Sequence, residues 1–496
     1  MNLNYAELFR ALLPETALAL GALVVLGLDL FGGKNRSAEQ RLRGSALAGQ
    51  VALLAALYGT VAAGATGHVF GGVLMLDSLT RATRLGVLGL AWITLGLLPA
   101  AKPVRHPAEY VAVLLFATAG FTLMAGAQQL LVAFLAVELA SLSLYILAGF
   151  AKTSPKSAEA ALKYFLFGGM SAAFMLFGFS LLYGLTGSLD FPEIAERLAG
   201  MGVSPLLVVA LVMVLVAFGF KAAAAPFHLW APDAYEGAPA PSAALIASAS
   251  KLAGFVLFSR LLWTGLGLAA GSAAHLPLMV GWAPVVAFIA AASLLLGNIG
   301  ALAQTNVRRL LAYSAIAHAG ALLLGVIAAG RTGPGPLFYY AATYGLATVG
   351  AFGVIAVVDR AGSCQQITDL AGLHRRSPFL AGCLAVFILS LAGVPPLAGF
   401  FGKFSVFAAA LRLGGLAGPA GWLAILAILL SAVALYYYLV VLKQALVAAP
   451  KDGAARIPVP PLAALSLFVS AGLLVLFGLW PSLLLGLWPS LLLGLF

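Results

Sequence analysis

Five ionisable side chains stand inside otherwise apolar runs. They are Glu138 in QQLLVAFLAVELASLSLYILAGF, Lys221 in VLVAFGFKAAAAPFHLW, Lys251 in LIASASKLAGFVLF, His318 in YSAIAHAGALLLG and Lys403 in SLAGVPPLAGFFGKF. A charge in hydrocarbon is expensive, so it faces protein or water and marks a functional position by default. Any one of them could be a structural ion pair or a snorkelling lysine. Together, spread over five runs, they need compensating groups along a polar line through the protein. The chemistry that line suits is proton relay. Desolvation and a neighbouring charge change a lysine's proton affinity by several pKa units. A carboxylate beside the lysine holds it protonated, and withdrawing that partner releases the proton. His318 could be a hydrogen-bonded core residue or a relay titrating near neutrality. Lys163, Arg84, Arg260 and Lys443 lie nearer the ends of apolar runs, where ion pairing or snorkelling is the simpler reading.

The elements that must position these groups are membrane helices. Fourteen candidate spans run at about 12–30, 44–63, 75–98, 108–125, 127–150, 161–185, 204–225, 240–265, 276–297, 309–330, 337–358, 378–398, 421–443 and 461–480. The runs are too long and too evenly apolar for barrel strands, which are about 10 residues and alternate. The expected fold is therefore all-α and polytopic. Residues 204–239 and 378–411 are each longer than one crossing needs, and they contain Pro226, Pro232 and Pro239, and Pro395–Pro396 with Gly399 and Gly402. Proline removes a backbone donor and clashes with the preceding turn. A helix broken in the membrane must be buried or line a cavity. Each break lies within eight residues of Lys221 or Lys403. Paired broken helices about five spans apart point to two inverted repeats around an ion site. The expected division is 1–107 (three helices), 108–265 (helices four to eight), 276–443 (helices nine to thirteen) and 461–496 (the last helix). His228, just beyond the first break, is a weaker candidate for proton uptake. The octapeptide GLWPSLLL occurs twice, at 478–485 and 486–493.

Bulk properties agree. Of 496 residues 62% are hydrophobic and 9% charged, so 43 charged side chains would have to cover a very large apolar core. A soluble domain is usually about a quarter charged. The net charge of +11 comes largely from short alternate loops carrying Lys34, Arg36, Arg41, Arg43, Lys102, Arg105, Lys152, Lys156, Arg308, Arg309, Arg360, Arg375, Arg376, Lys451 and Arg456. The other side has little beyond Arg10, Arg197, Arg331 and Arg412. The basic side is expected to be cytoplasmic, and an even span count puts both termini outside. That bias explains the basicity without nucleic acid. No cleavable signal peptide is evident. Cys364 and Cys383 form no CxxC and have no histidine cluster nearby, so iron–sulfur or zinc binding is not expected. There is no Walker A loop, no dinucleotide glycine pattern and no CxxCH, so neither ATP nor a redox cofactor is expected here.

The stretch FKAAAAPFHLWAPDAYEGAPAPSAALIASASKLAGF (220–255), with AYSAIAHAG (312–320) and LAGVPPLAGFFGKF (391–404), resembles the antiporter-like membrane subunits of respiratory complex I, the bacterial NADH-quinone oxidoreductase. Within that family it is most similar to the N-type branch. The WAPDAYEGAP string and a lysine at 403, where M-type subunits typically have glutamate, carry the distinction. The resemblance implies a proton-pumping subunit of the cell inner membrane with two inverted five-helix repeats. It implies site roles for Glu138, Lys221, Lys251, His318 and Lys403, no cofactor, and M-type and small helical subunits as partners. Quinone acts on it only indirectly, through those neighbours.

Three rival functions share some of these features. A subunit of a multi-subunit sodium/proton antiporter or a membrane-bound hydrogenase has similar breaks and lysines, but APDAYEGAP and PPLAGFFGK argue against it. A substrate transporter would show a pocket of unwound Asn, Thr or Asp, whereas the buried groups here are nearly all ionisable. A scaffold would tolerate neutralisation of Glu138 and Lys221.

Overall fold

The computed structural model describes residues 5–32, 36–63, 67–102, 105–202, 204–273, 280–416, 418–450 and 455–486. Lys34 and Lys451 of the basic loops, the start of the ninth expected span (276–279) and residues 487–493 of the repeated octapeptide lie outside them. Among the described residues, thirteen helices are long and apolar enough to cross a membrane. They match thirteen of the fourteen expected spans. The remaining one, 378–398, is two shorter helices, Pro378–Ala392 and Ala398–Gly414. The only sheet among the described residues is a short hairpin, Gly67–Val69 with Leu74–Leu76.

Local signals fix the helix starts. Ser37, Asp77, Ser154, Ser204 and Asn306 each accept a backbone N–H of the first turn, satisfying donors that no helical carbonyl can reach. Proline occupies the first turn of Pro107–Gly126, Pro155–Thr186 and Pro419–Leu446, where its missing N–H costs nothing.

Three helices form the buried centre: Ala240–Gly265, Val307–Thr332 and Gly335–Ala361. The peripheral helices Leu13–Gly32, Pro155–Thr186, Pro419–Leu446 and Pro461–Leu479 turn Leu, Phe, Val and Tyr outward. An outward apolar face is what a lipid solvent requires. Small residues bring the central helices close. A Cβ on Gly297 would fall 2.4 Å from the Ala317 nitrogen, and one on Gly320 would fall 2.7 Å from the Ala290 carbonyl. These contacts press Trp282–Leu302 against the helix of His318 on both sides of that residue, as close backbone approach does in membranes.

Both breaks are present. Pro205–Ala222 stops at Ala223, which has φ +55°, and the chain resumes as Trp230–Gly237. Pro378–Ala392 stops at Gly393, φ +85°, and resumes at Ala398. The freed backbone groups find partners. The Ala225 N–H donates to Ser293 Oγ (2.8 Å), Trp230 Nε1 donates to the Phe220 carbonyl (3.2 Å), and the Gly399 N–H donates to Ser390 Oγ (3.2 Å). This internal satisfaction is the condition for irregular backbone at membrane depth.

Candidate functional site

Each predicted site residue lies on a different helix, and the packing brings them into one row. Lys221 is in the last turn of Pro205–Ala222, at the negative end of the helix dipole. Its ammonium donates to Ser141 Oγ at 3.0 Å. Ser141 is one turn beyond Glu138 on Leu130–Ala148, so serine and carboxylate share a face. Glu138 is half-buried and within electrostatic range of Lys221. The two form no direct ion pair: the lysine rests on the neutral hydroxyl between them.

Lys221 also packs along the next helix, where a Cβ on Gly254 would lie 3.5 Å from Lys221 Cγ. Gly254 is one turn from Lys251 on Ala249–Arg260. Lys251 is 2% exposed. It donates to the Ala315 carbonyl at 2.5 Å, and its ammonium lies 5.6 Å from the centroid of the Tyr344 ring. An ammonium over an aromatic face gains about 2 kcal/mol when desolvated. The Tyr344 ring also lies 4.8 Å from that of His318. Tyr344 thus stands between the second lysine and the histidine.

His318 is held at both nitrogens. Nδ1 meets the Tyr340 hydroxyl at 2.6 Å and Nε2 meets the Tyr438 hydroxyl at 3.1 Å; Tyr438 also bonds Ser314. A cavity of ≈ 20 Å³, lined by His318, Lys403, Asn298, Ser431 and Tyr437 among others, joins the histidine to the last lysine. That volume is large enough for one water, with several polar groups among its lining. Lys403 closes the row. Its ammonium donates to the Ala392 carbonyl at 2.9 Å, the last residue of the leading half-helix. In both breaks, therefore, an ammonium sits at the carbonyl end of the first half-helix: Lys221 by sequence, Lys403 by hydrogen bond. The two arrangements use the same dipole attraction.

Tyr340, Tyr344 and Tyr438, which sequence reasoning missed, complete the row together with Ser141, a polar residue on the same span as Glu138. The only signal for the three tyrosines is helical spacing from the ionisable residues. The charged residues expected near the ends of apolar runs are mostly paired. Arg84, which is 2% exposed, pairs with buried Glu15 at 2.9 Å and also donates to the Ala11 and Thr122 carbonyls. Arg260 pairs with Asp77 at 2.9 Å and Lys163 with Asp233 at 2.5 Å. These three are ion pairs, whereas Lys443 is exposed. His228 lies buried at the first break.

On the basic-loop side, Asp233 and Glu236 on Trp230–Gly237 are clamped to two other helices. Arg309 reaches Asp233 at 2.5 Å and Glu236 at 3.1 Å, and Lys156 reaches Glu236 at 2.7 Å. Burial pushes both carboxyl pKa values up. Hydrogen bonds and charge from Lys163 and Arg309 on Asp233, and from Lys156 and Arg309 on Glu236, outweigh burial and hold both below the ordinary carboxylate range.

Among the described residues no group of three or more His, Cys, Asp or Glu side chains could hold a metal ion. Cys364 and Cys383 are free and buried. Buried lysines in series, bridged by hydroxyls and a histidine on half-broken helices, define a polytopic translocase subunit. The chain belongs to the family described as NADH:quinone oxidoreductase/Mrp antiporter, TM, whose model matches residues 127–432. It is 49% identical to NADH-quinone oxidoreductase subunit N 2 of Acidobacterium capsulatum over 97% of this chain and 98% of that one. Among solved structures it is similar to a chain of respiratory complex I from Thermus thermophilus with bound aureothin: 33% identity, TM-score 0.77, covering 95% of this chain and 98% of that one. A chain of the membrane-bound sulfane sulfur reductase, an archaeal respiratory membrane complex, shares the fold at TM-score 0.83 and 23% identity, covering 97% and 96%.

Proposed function

We propose that this chain is a proton-translocating subunit of an inner-membrane NADH:quinone oxidoreductase, coupling quinone reduction elsewhere in the complex to proton movement through its own buried groups. The observation that carries the reading is the continuous row from Glu138 through Lys221, Lys251 and His318 to Lys403. A row of titratable groups suits protons better than a solute. Its relatives named subunit N favour the oxidoreductase over a sodium/proton antiporter: the chain is 49% identical to one of them and 21% to a chain of the Mrp complex from Dietzia.

The cycle is electrostatic. Closing the Glu138–Lys221 contact holds the lysine's proton. A signal passed from quinone reduction through neighbouring membrane subunits opens the contact, and Lys221 turns to Ser141, the arrangement described above. The proton moves by Lys251 and His318 to Lys403, which releases it outside, and cytoplasmic water reloads the inner groups. Charge exchange between groups this close is a pKa shift in each, and no covalent chemistry is needed. The two breaks sit in matching positions of two inverted five-helix repeats, 108–265 and 276–443, flanked by 1–107 and 461–496. The partners are M-type and small helical membrane subunits. Both termini face outside, and the loops around Arg308 and Arg309 face the cytoplasm.

Neutralising Glu138 tests the reading. In the assembled complex in vesicles, Glu138→Gln is expected to lower proton pumping driven by quinone reduction. Full pumping by Glu138→Gln would support a scaffold.

A further inference from the structure

The row above has no described opening to the cytoplasm, yet four features converge beside Lys251. The first is a cavity of ≈ 460 Å³ on the basic-loop face. It lies among the ends of five helices, and its walls carry Lys102, Lys156, Arg308, Glu236 and Asp359. Its inner wall is dry: Ala101, Ala240 and Ala356 form a small apolar cluster of their own. The second is a stripe on Gly335–Ala361. Residues 344, 348, 352 and 356 are four apart, so Tyr344, Thr348, Phe352 and Ala356 lie one above another on one face. The stripe begins at the cavity with Ala356 and ends about 18 Å deeper, at Tyr344 beneath Lys251. The third is a ring contact across the stripe. Tyr235 meets Phe352 edge to face at 5.9 Å. Tyr235 directly precedes Glu236 of the cavity wall.

The fourth feature decides the matter. The Tyr235 hydroxyl is buried with no hydrogen-bond partner in the protein, and the equally buried hydroxyls of Tyr344 and Thr348 have at most each other. Buried polar groups are almost always paired, and an orphan that persists calls for an ordered water or a functional role. One orphan hydroxyl and one isolated hydroxyl pair, set between the cavity and the buried lysine, leave donors and acceptors that packing alone does not satisfy. Elsewhere in the central helices hydroxyls fold back on their own backbone, as Ser248 does on Ala244 and Thr343 on Tyr339.

We propose that Tyr235, Thr348 and Tyr344 line the proton inlet of this subunit, leading from the basic cavity past the Tyr235–Phe352 contact to Lys251. The assignment rests on the proton-relay reading. Each hydroxyl, with water between, takes a proton on its oxygen from the cavity side and gives its own toward Lys251. One proton moves in, the Lys251 amine receives it on its lone pair, and nothing is oxidised or reduced. Glu236 is fixed as an ionised wall by Lys156 and Arg309. The Phe352 ring keeps the passage closed until Tyr235 turns.

The test uses the whole complex in vesicles and measures pumping and quinone reduction together. Tyr235→Phe and Thr348→Val remove a hydroxyl and keep the volume. Each is expected to slow pumping about tenfold, equivalent to about 1.4 kcal/mol of barrier, with the complex fully assembled. Thr348→Ser returns the hydroxyl and restores pumping. If Thr348→Ser pumps as poorly as Thr348→Val, the position matters for packing and the inlet is overturned. If both hydroxyl variants pump like the parent while Lys221→Ala does not, the inlet lies elsewhere and the relay stands. If Lys221→Ala also pumps normally, the relay reading itself has failed.

Discussion

At the scale of single residues, Lys403 depends on a glycine. Gly393 has φ +85°, and a Cβ there would lie 3.0 Å from Lys403 Cδ. Gly393→Ala combines a left-handed alanine, costing about 1–2 kcal/mol, with a push on the lysine side chain. The expected result is a lower melting temperature of the complex and weaker pumping. The neighbouring Gly382, which has open space at its Cβ, is the control, and Gly382→Ala is expected to change neither. Equal behaviour of the two alanine variants would show that the Gly393 contact does not position Lys403. The residues of the row were legible in the sequence because charge in an apolar run is conspicuous. Tyr340, Tyr344 and Tyr438 were not, because neutral hydroxyls are common in membrane helices and only the packing shows which of them bridge.

At the scale of elements, two ion-pair systems hold helices in place. Arg84 and Glu15 tie the N-terminal helix Leu13–Gly32 to Ser78–Leu97 inside the protein. Removing one partner strands a buried charge and costs about 3–5 kcal/mol, whereas replacing both with apolar residues can be nearly neutral. Arg84→Leu is therefore expected to destabilise the chain strongly in thermal melts, and Glu15→Leu with Arg84→Leu to recover most of the loss. A double variant as unstable as the single one would contradict this. The second system clamps the short helix Trp230–Gly237 through Asp233 and Glu236 to Arg309, nine residues before His318 on the same helix. The break beside Lys221 is thereby joined to the helix of the relay histidine. Because the folded pKa values of Asp233 and Glu236 lie below their ordinary values, the clamp contributes fully above the unfolded carboxyl range. Its contribution is lost as pH falls through the lowered folded values. Arg309→Ala is expected to cost on the order of 1 kcal/mol at neutral pH and to flatten the acid limb of a melting-temperature profile. A profile identical to the parent's would remove the clamp from the stability of this segment.

At the scale of the whole molecule, the sequence led to an all-α membrane protein with two interrupted helices, because span length and proline placement follow from the bilayer and the backbone. The break at 378–398 was placed correctly, but its helix count was not obvious: Gly393 ends one half and Ala398 starts another, so one expected span became two shorter helices. Arg84 could not be told from a snorkelling side chain, because its partner Glu15 lies 69 residues away and only tertiary packing joins them. The proposed orientation rests on loop charge. A thiol placed in the loop near Arg375 is expected to react with an impermeant reagent only from the cytoplasmic side, and one near Arg197 only from outside. The reverse pattern would invert the direction of the relay.

The most direct measurement replaces Lys221 with alanine and follows proton pumping and quinone reduction in vesicles containing the assembled complex. Lys221 is the group that joins Glu138 and Ser141 to the Lys251 helix, so its loss interrupts the row. Pumping is expected to fall sharply with the complex intact. Unchanged pumping at unchanged quinone reduction would show that protons do not pass along this row.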